Sequence, residues 1–203
     1  SHHPGAVFDA SPGVELPFLA GDALHHQPRL LVDEYAHGHT SLAIDPRGAL
    51  HYTYTDINKQ ALKYATLVDG LITVQEVDQN NSILQTSLVV DYDGNAHISY
   101  CDGMRYDLRY ATNALWYRET VDSGLGAGED CSLALDLDGK AHISYYDRTN
   151  GDLKYATNTD GHWNTETVDS NGDVGSQTSI ATDGDGNAYI AYYDVTNTGL
   201  KFA

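Results

Sequence analysis

The chain has 203 residues, 29 acidic side chains against 11 basic ones, and a formal charge of −18 at neutral pH. That imbalance argues against nucleic acid and anionic membrane as partners, because both are bound through basic surface. Hydrophobic residues make up 41%, enough for a core, and no apolar run approaches the ~20 residues of a membrane span.

Asp outnumbers Glu 23 to 6, with 15 Tyr and 19 Gly, a balance that favours strands joined by Asp/Gly turns. In chain order, residues 1–27, rich in Pro, Gly and Ala, read as an N-terminal extension or linker. Ser1-His2-His3 reads as a processed end or tag remnant. Residues 28–33 read as a strand, and from Thr40 onward the chain repeats itself.

Four segments align: TSLAIDPRGALHYTYTD (40–56), TSLVVDYDGNAHISYCD (86–102), CSLALDLDGKAHISYYD (131–147) and TSIATDGDGNAYIAYYD (178–194). Each is followed by an LKYAT-like run, from Leu62, Leu108, Leu153 and Leu200. The first three then continue into TVQEVD (73–78), YRETVD (117–122) and NTETVD (164–169). Ser41, Ser87, Ser132 and Ser179 mark the period, 46, 45 and 47 residues apart. Each unit reads as four short antiparallel strands, A to D, and a repeat of ~40–50 residues with four strands is the signature of a β-propeller blade.

The fold expected is therefore all-β: a four-bladed β-propeller over 28–203, with blades at about 40–78, 86–122, 131–169 and 178–203. The last unit stops at Ala203 without a strand D. Residues 28–33 match that strand and are expected to close the last blade, which ties the ends and removes sheet edges. The alternatives are a fragment of a longer propeller, or two half-rings pairing.

Repeated residues read as scaffold. The D-x-D-G turns (Asp91, Asp136, Asp183; Asp45 in the first unit) read as three-residue hairpins with a left-handed Gly. A calcium loop is the competing reading, but the further bidentate acid is absent. His51, His97 and His142, with Tyr189 in the fourth unit, read as imidazoles between blades, bonded to the neighbour's backbone. The repeated Tyr of strands B and C read as inter-blade packing.

Candidate ligand residues fall into two sets. Asp56, Asp102, Asp147 and Asp194 open the B–C loops, either holding an Asx-type turn or forming a ring of acids. His39, Gln85, Asp130 and Gln177 precede strand A, where they should surround the channel mouth. They differ among units whose scaffold positions agree, and this makes them, with the D–A loops, the best candidates. An ion or ordered water is expected on the axis, held mainly by main-chain groups. Cys101 and Cys131 each replace a repeat residue in consecutive units and are expected to form a disulfide across the junction between blades 2 and 3.

The run VDYDGNAHISYCD…DLRYAT resembles the NHL-type propeller repeat, and is more similar still to HISYYD…N.DLKYA repeats of secreted microbial propellers. Four-bladed rings are best known from the hemopexin-like family, whose motif is absent here. The resemblance implies fold and no ligand, since propellers host many functions. No nucleophile elbow, zincin helix or phosphate loop is present. The expected function is a secreted or surface binding module for carbohydrate or protein; a hydrolase or lyase using acids on the same face, and a structural module of a larger assembly, are the alternatives.

Overall fold

The computed structural model describes residues 31–34, 36, 38–79, 82–113 and 116–203. It is all-β, with the architecture of a four-bladed β-propeller. Blade 1 comprises β1 (Ser41–Ile44), β2 (Leu50–Asp56), β3 (Ala61–Val68) and β4 (Leu71–Asp78). Blade 2 comprises β5 (Ile83–Val90), β6 (Ala96–Asp102), β7 (Asp107–Thr112) and β8 (Tyr117–Asp122). Blade 3 comprises β9 (Ala127–Leu135), β10 (Ala141–Asp147), β11 (Asp152–Thr157) and β12 (Asn164–Asp169). Blade 4 comprises β13 (Val174–Thr182), β14 (Ala188–Asp194) and β15 (Gly199–Phe202). Every sheet is antiparallel with strands in sequence order, and β1, β5, β9 and β13 contact one another in succession along the inner side.

The A–B hairpins follow from Asp chemistry. Asp136 N–H bonds the Lys140 carbonyl at 3.0 Å while Gly139 closes the turn at φ 73°. Asp136 Oδ1 accepts from the backbone of Asp138 and Lys140 at 2.9 and 2.8 Å. Asp45 and Asp183 make the same paired contacts. The hairpin expected from the D-x-D-G pattern is the one formed.

The core lies between blades. Strand C of one blade (Leu62, Tyr64) packs with strands A and B of the next (Leu88, Ile98, Tyr100), and Leu108 and Tyr110 do the same with Leu133, Ile143 and Tyr145. Tyr64 meets Trp116 and Tyr110 meets Trp163 edge-on, both at 5.1 Å between centroids. Inner strands approach the preceding blade closely: at Gly175 (φ 103°) a Cβ would lie 2.6 Å from Leu153 Cα, so no side chain fits.

Two expectations need correction. The repeated histidines bond within their own blade. His51 Nδ1 meets the Tyr64 hydroxyl at 2.6 Å, His142 Nδ1 meets that of Tyr155 at 2.5 Å, and His97 pairs with Tyr110. Their Nε2 atoms face the turn aspartates, Asp91 and Asp136 at 3.3 Å and Asp45 at 3.8 Å. The reason is register: strands B and C pair so that a tyrosine 13 residues on lies within reach of the imidazole.

The expected disulfide is not formed: Cys101 and Cys131 are both free and buried. Cys131 stands where Thr86 and Thr178 stand in other blades. Thr86 Oγ1 donates to Thr53 Oγ1 of the preceding blade at 3.1 Å, and Thr178 to Ser144 Oγ at 2.8 Å. Cys131 faces Ser99 in the same way, so the thiol occupies the repeat's own inter-blade contact. The contact is weak, and the buried Ser99 hydroxyl has no partner of good hydrogen-bond geometry. Burial pushes the Cys131 thiol up to about 11 and raises Cys101 as well, so both stay protonated and inert.

Of the expected closing strand, residues 28–30 lie outside the described residues, and Leu31–Asp33 are not in a strand. Blade 4 has three strands among the described residues.

Candidate functional site

The site is built on a bulge that the inner strands share. Strands β5, β9 and β13 begin three to four residues before Thr86, Cys131 and Thr178, where the sequence suggested loop. Each pairs early with the Asp that ends strand B: Ile83 with Asp102, Ala127 with Asp147, Val174 with Asp194. The ladder then shifts register, and Gln85, Asp130 and Gln177 fall in the shift. A bulge re-aims the side chain it carries. Asp130 and Gln177 both have φ of 52°, a left-handed backbone disfavoured for non-glycine residues.

These three residues form one row across blades 2, 3 and 4. Gln85 Nε2 donates to Asp130 Oδ1 at 2.6 Å, and Asp130 N–H donates back to Gln85 Oε1. Gln177 N–H donates to Asp130 Oδ2 at 2.7 Å. The carboxylate thus bridges a side-chain amide on one side and a main-chain amide on the other. His39 precedes the first inner strand, is exposed, and does not join the row.

Just below, the serines stitch the inner strands together. Ser41 Oγ accepts the Leu88 amide at 3.1 Å, Ser87 Oγ that of Leu133 at 3.1 Å, and Ser132 Oγ that of Ile180 at 3.3 Å. Three of the inner-strand amides are thereby held by protein hydroxyls rather than left for an axial ligand.

The second candidate set is placed differently. Asp56, Asp102, Asp147 and Asp194 are all buried. Their Oδ1 atoms accept backbone amides of the B–C loop, such as Asn58 at 3.1 Å, Met104 at 3.0 Å, Thr149 at 3.0 Å and Asn197 at 2.8 Å. Each closes its own loop, and the four do not meet. Among the described residues no three His, Cys, Asp or Glu side chains converge as an ion's ligands would.

One set of contacts between blades carries no signal in any single repeat. The Asp ending each strand D receives a Tyr and a cation from the next blade. Asp122 Oδ2 accepts from Tyr145 at 2.7 Å and Lys154 at 2.5 Å, and Asp169 Oδ2 from Tyr192 at 2.8 Å and Lys201 at 2.5 Å. Asp78 receives Tyr100 at 2.8 Å and lies 3.5 Å from Arg109. Asp33, before the first blade, does the same with Tyr54 at 3.0 Å and Lys63 at 2.6 Å. The shared VD ending and the Lys/Arg of LKYA were the visible signal.

Blade 2 departs from the pattern in bringing two arginines, Arg109 and Arg118, to this last aspartate of blade 1. Asp78 also receives Arg118 at 3.2 Å. Beside it, Asp102, Met104, Arg105, Asp107, Arg109 and Thr120 line an open cleft of about 570 Å³. Burial raises the Asp107 carboxyl, aided by Asp102, but its repeat counterpart Asp152 is raised by the same causes in blade 3. The shift therefore belongs to the repeat and does not mark a catalytic acid.

No protein-family model and no curated protein matches the chain. Solved structures do. A protein of unknown function from Dyadobacter fermentans is similar at TM-score 0.57 and 13% identity, over 79% of this chain and 50% of that one. A chain of the nidogen/laminin complex gives 0.49 at 14% identity, over 76% and 56%. A GH43 β-1,3-galactosidase gives 0.48 at 13% identity, over 80% and 41%. The chain spans about half the length of these structures, and at 13% identity the likeness to the first is one of fold alone.

Proposed function

We propose that the chain is a non-catalytic binding module, secreted or at a cell surface, whose ligand sits on the face carrying the Gln85–Asp130–Gln177 row. The observation behind this reading is the row itself: unlike side chains at one bulge position, joined across three blades, two of them on left-handed backbone. Scaffold positions in the same strands repeat, so nothing in the repeat requires these residues. Amide and carboxylate groups side by side suit the donor and acceptor hydroxyls of a carbohydrate. Gln85 and Asp130 would take the ligand's hydroxyls, with Gln177 and His39 at the flanks. The four loop aspartates would act through the loops they hold. A protein ligand on the same face is the second form of this reading, and the NHL-like repeat belongs with either.

The enzymatic alternative has less support, because the acids of the face are divided among separate loops and Asp107 shares its raised carboxyl with Asp152. A glycan array probed with the wild type and with Asp130→Ala tests the proposal. Binding to one glycan class, lost in Asp130→Ala, is the expected result. Absence of any glycan signal, or signal indifferent to Asp130→Ala, would overturn the carbohydrate reading.

A further inference from the structure

The contacts between consecutive blades are one junction used three times. On its leading side, strand C offers a Leu and an aromatic ring. On its trailing side, strand A of the next blade offers a Leu or Ile and a backbone amide for the serine behind it. At the chain's two ends each half is left open. Leu42 is 58% exposed, whereas Leu88, Leu133 and Ile180 at the same position are 5, 4 and 8% exposed. Leu200 is 83% exposed, against 0% for Leu62, Leu108 and Leu153, and Phe202 is 70% exposed. Ser179 is the last serine of the series and the Leu42 amide the first to be received; neither has its counterpart among the described residues.

The two open faces are thus complementary halves of an interface the protein already makes. Asp33 adds a second observation. It is docked on Tyr54 and Lys63 as each strand-D aspartate is docked on the following blade. Asp33 therefore takes the place of the aspartate that ends a strand D in the other blades. Among the described residues β15 is the last strand of its sheet, with no strand D beside it. One element is unlike the rest: Ala191 stands where Thr53, Ser99 and Ser144 supply a hydroxyl, so Thr40 would meet a methyl group.

We infer that these faces are covered by a second copy of this chain, head to tail. Blade 4 of one copy packs on blade 1 of the other, with Leu200 and Phe202 against Leu42 and Asp33 at the junction as a strand-D aspartate is at the others. Head-to-tail contacts close when the rotation allows. Propellers typically have ~4–8 blades, so a ring made of whole copies holds one copy or two. One copy leaves its end faces exposed here. Two copies give an eight-bladed ring with two identical new junctions, related by a two-fold axis, that cover both end faces.

Sedimentation equilibrium on the full chain tests this, with Leu42→Asp and Leu200→Asp as variants. Both positions are exposed in the single chain, so the variants should keep the wild-type far-UV spectrum. The wild type is expected to be a dimer. Each variant spoils both junctions of its own dimer, and the dissociation constant should rise at least ~100-fold, since each junction loses a buried leucine. Mixing the two variants leaves one junction with both leucines, so the mixture should associate more tightly than either alone. A wild type that stays monomeric at all concentrations would overturn the inference, and so would a dimer that neither variant weakens or that mixing does not restore.

Discussion

Tyr189 and Phe202 stack with ring centroids 6.0 Å apart and planes 19° from parallel, in the one blade that has neither the histidine nor the tyrosine of the other three. Blades 1 to 3 pair an imidazole with a phenol; blade 4 has replaced both partners. Tyr189 now reaches the turn aspartate itself, donating to Asp183 Oδ2 at 3.0 Å, and Phe202 has no hydroxyl left to satisfy. The Asp–His–Tyr arrangement thus behaves as one unit. Transplanting the blade 4 pair into blade 3 should show it. His142→Tyr sets two phenols together, and Tyr155→Phe leaves Nδ1 bare. The double variant should be at least ~1 kcal/mol more stable than the sum of the single losses implies. Simple additivity in a urea-unfolding cycle would contradict the coupling.

The same unit sets a pH dependence. Burial lowers the His51 and His97 pKa below 6.5, although Asp45 and Asp91 pull the other way. An unfolded histidine takes up its proton as pH falls through ~6.5, while the folded one resists until lower pH. The unfolded state then binds more protons, so stability falls as pH drops below that point. The melting temperature should hold from pH 8 to 7 and decline from about 6.5 downward. Asp107 and Asp152, raised by burial, act in the opposite sense. His51→Gln/His97→Gln should therefore flatten the decline, and a variant with the wild-type profile would exclude the histidines as its source.

Cys131→Thr restores the residue found at this position in the neighbouring blades. The new hydroxyl would donate to Ser99 as Thr86 does to Thr53 and Thr178 to Ser144. It should stabilise the chain by about 1 kcal/mol, the net worth of one buried hydrogen bond. A neutral or destabilising outcome in chemical denaturation would show that the thiol is not a substitute for the repeat's threonine.

The strand-D aspartates should be among the most sensitive polar positions. Burial pulls the Asp122 carboxyl up, but Lys154, Tyr145 and the Gly124 amide bring it below the usual carboxylate range. Asp122→Ala leaves a half-buried ammonium and a buried phenol without their partner, and should cost about 2–4 kcal/mol. Asp138→Ala, in an exposed turn, should cost less than ~0.5 kcal/mol. Equal losses at the two positions would remove Asp122 from the junction.

The blades, their four strands and the Asp-Gly turns were legible because the repeat aligns four times and turn chemistry is local. The choice of Gln85, Asp130 and Gln177 rested on the contrast between varying and repeated positions, and these three do lie side by side. What the sequence hid is non-local. Nothing in the residues before Thr86 or Thr178 signals that the strand runs on through a bulge, because Asp130 and Gln177 adopt a backbone that their type does not advertise. The histidine partners depended on the exact pairing of strands B and C. Cys101 and Cys131 suggested each other because both are exceptions in the alignment, whereas Cys131 had Ser99 to face.

The central claim is that the row across blades 2 to 4 receives the ligand. Amide-resolved NMR of the labelled protein, titrated with a glycan selected from the array, tests it most directly. The account expects the largest shifts at the Gln85 side-chain amide and at the backbone amides of Asp130 and Gln177. Shifts confined to Met104, Arg105 and the other residues of the blade 2 cleft, with the row unmoved, would contradict it.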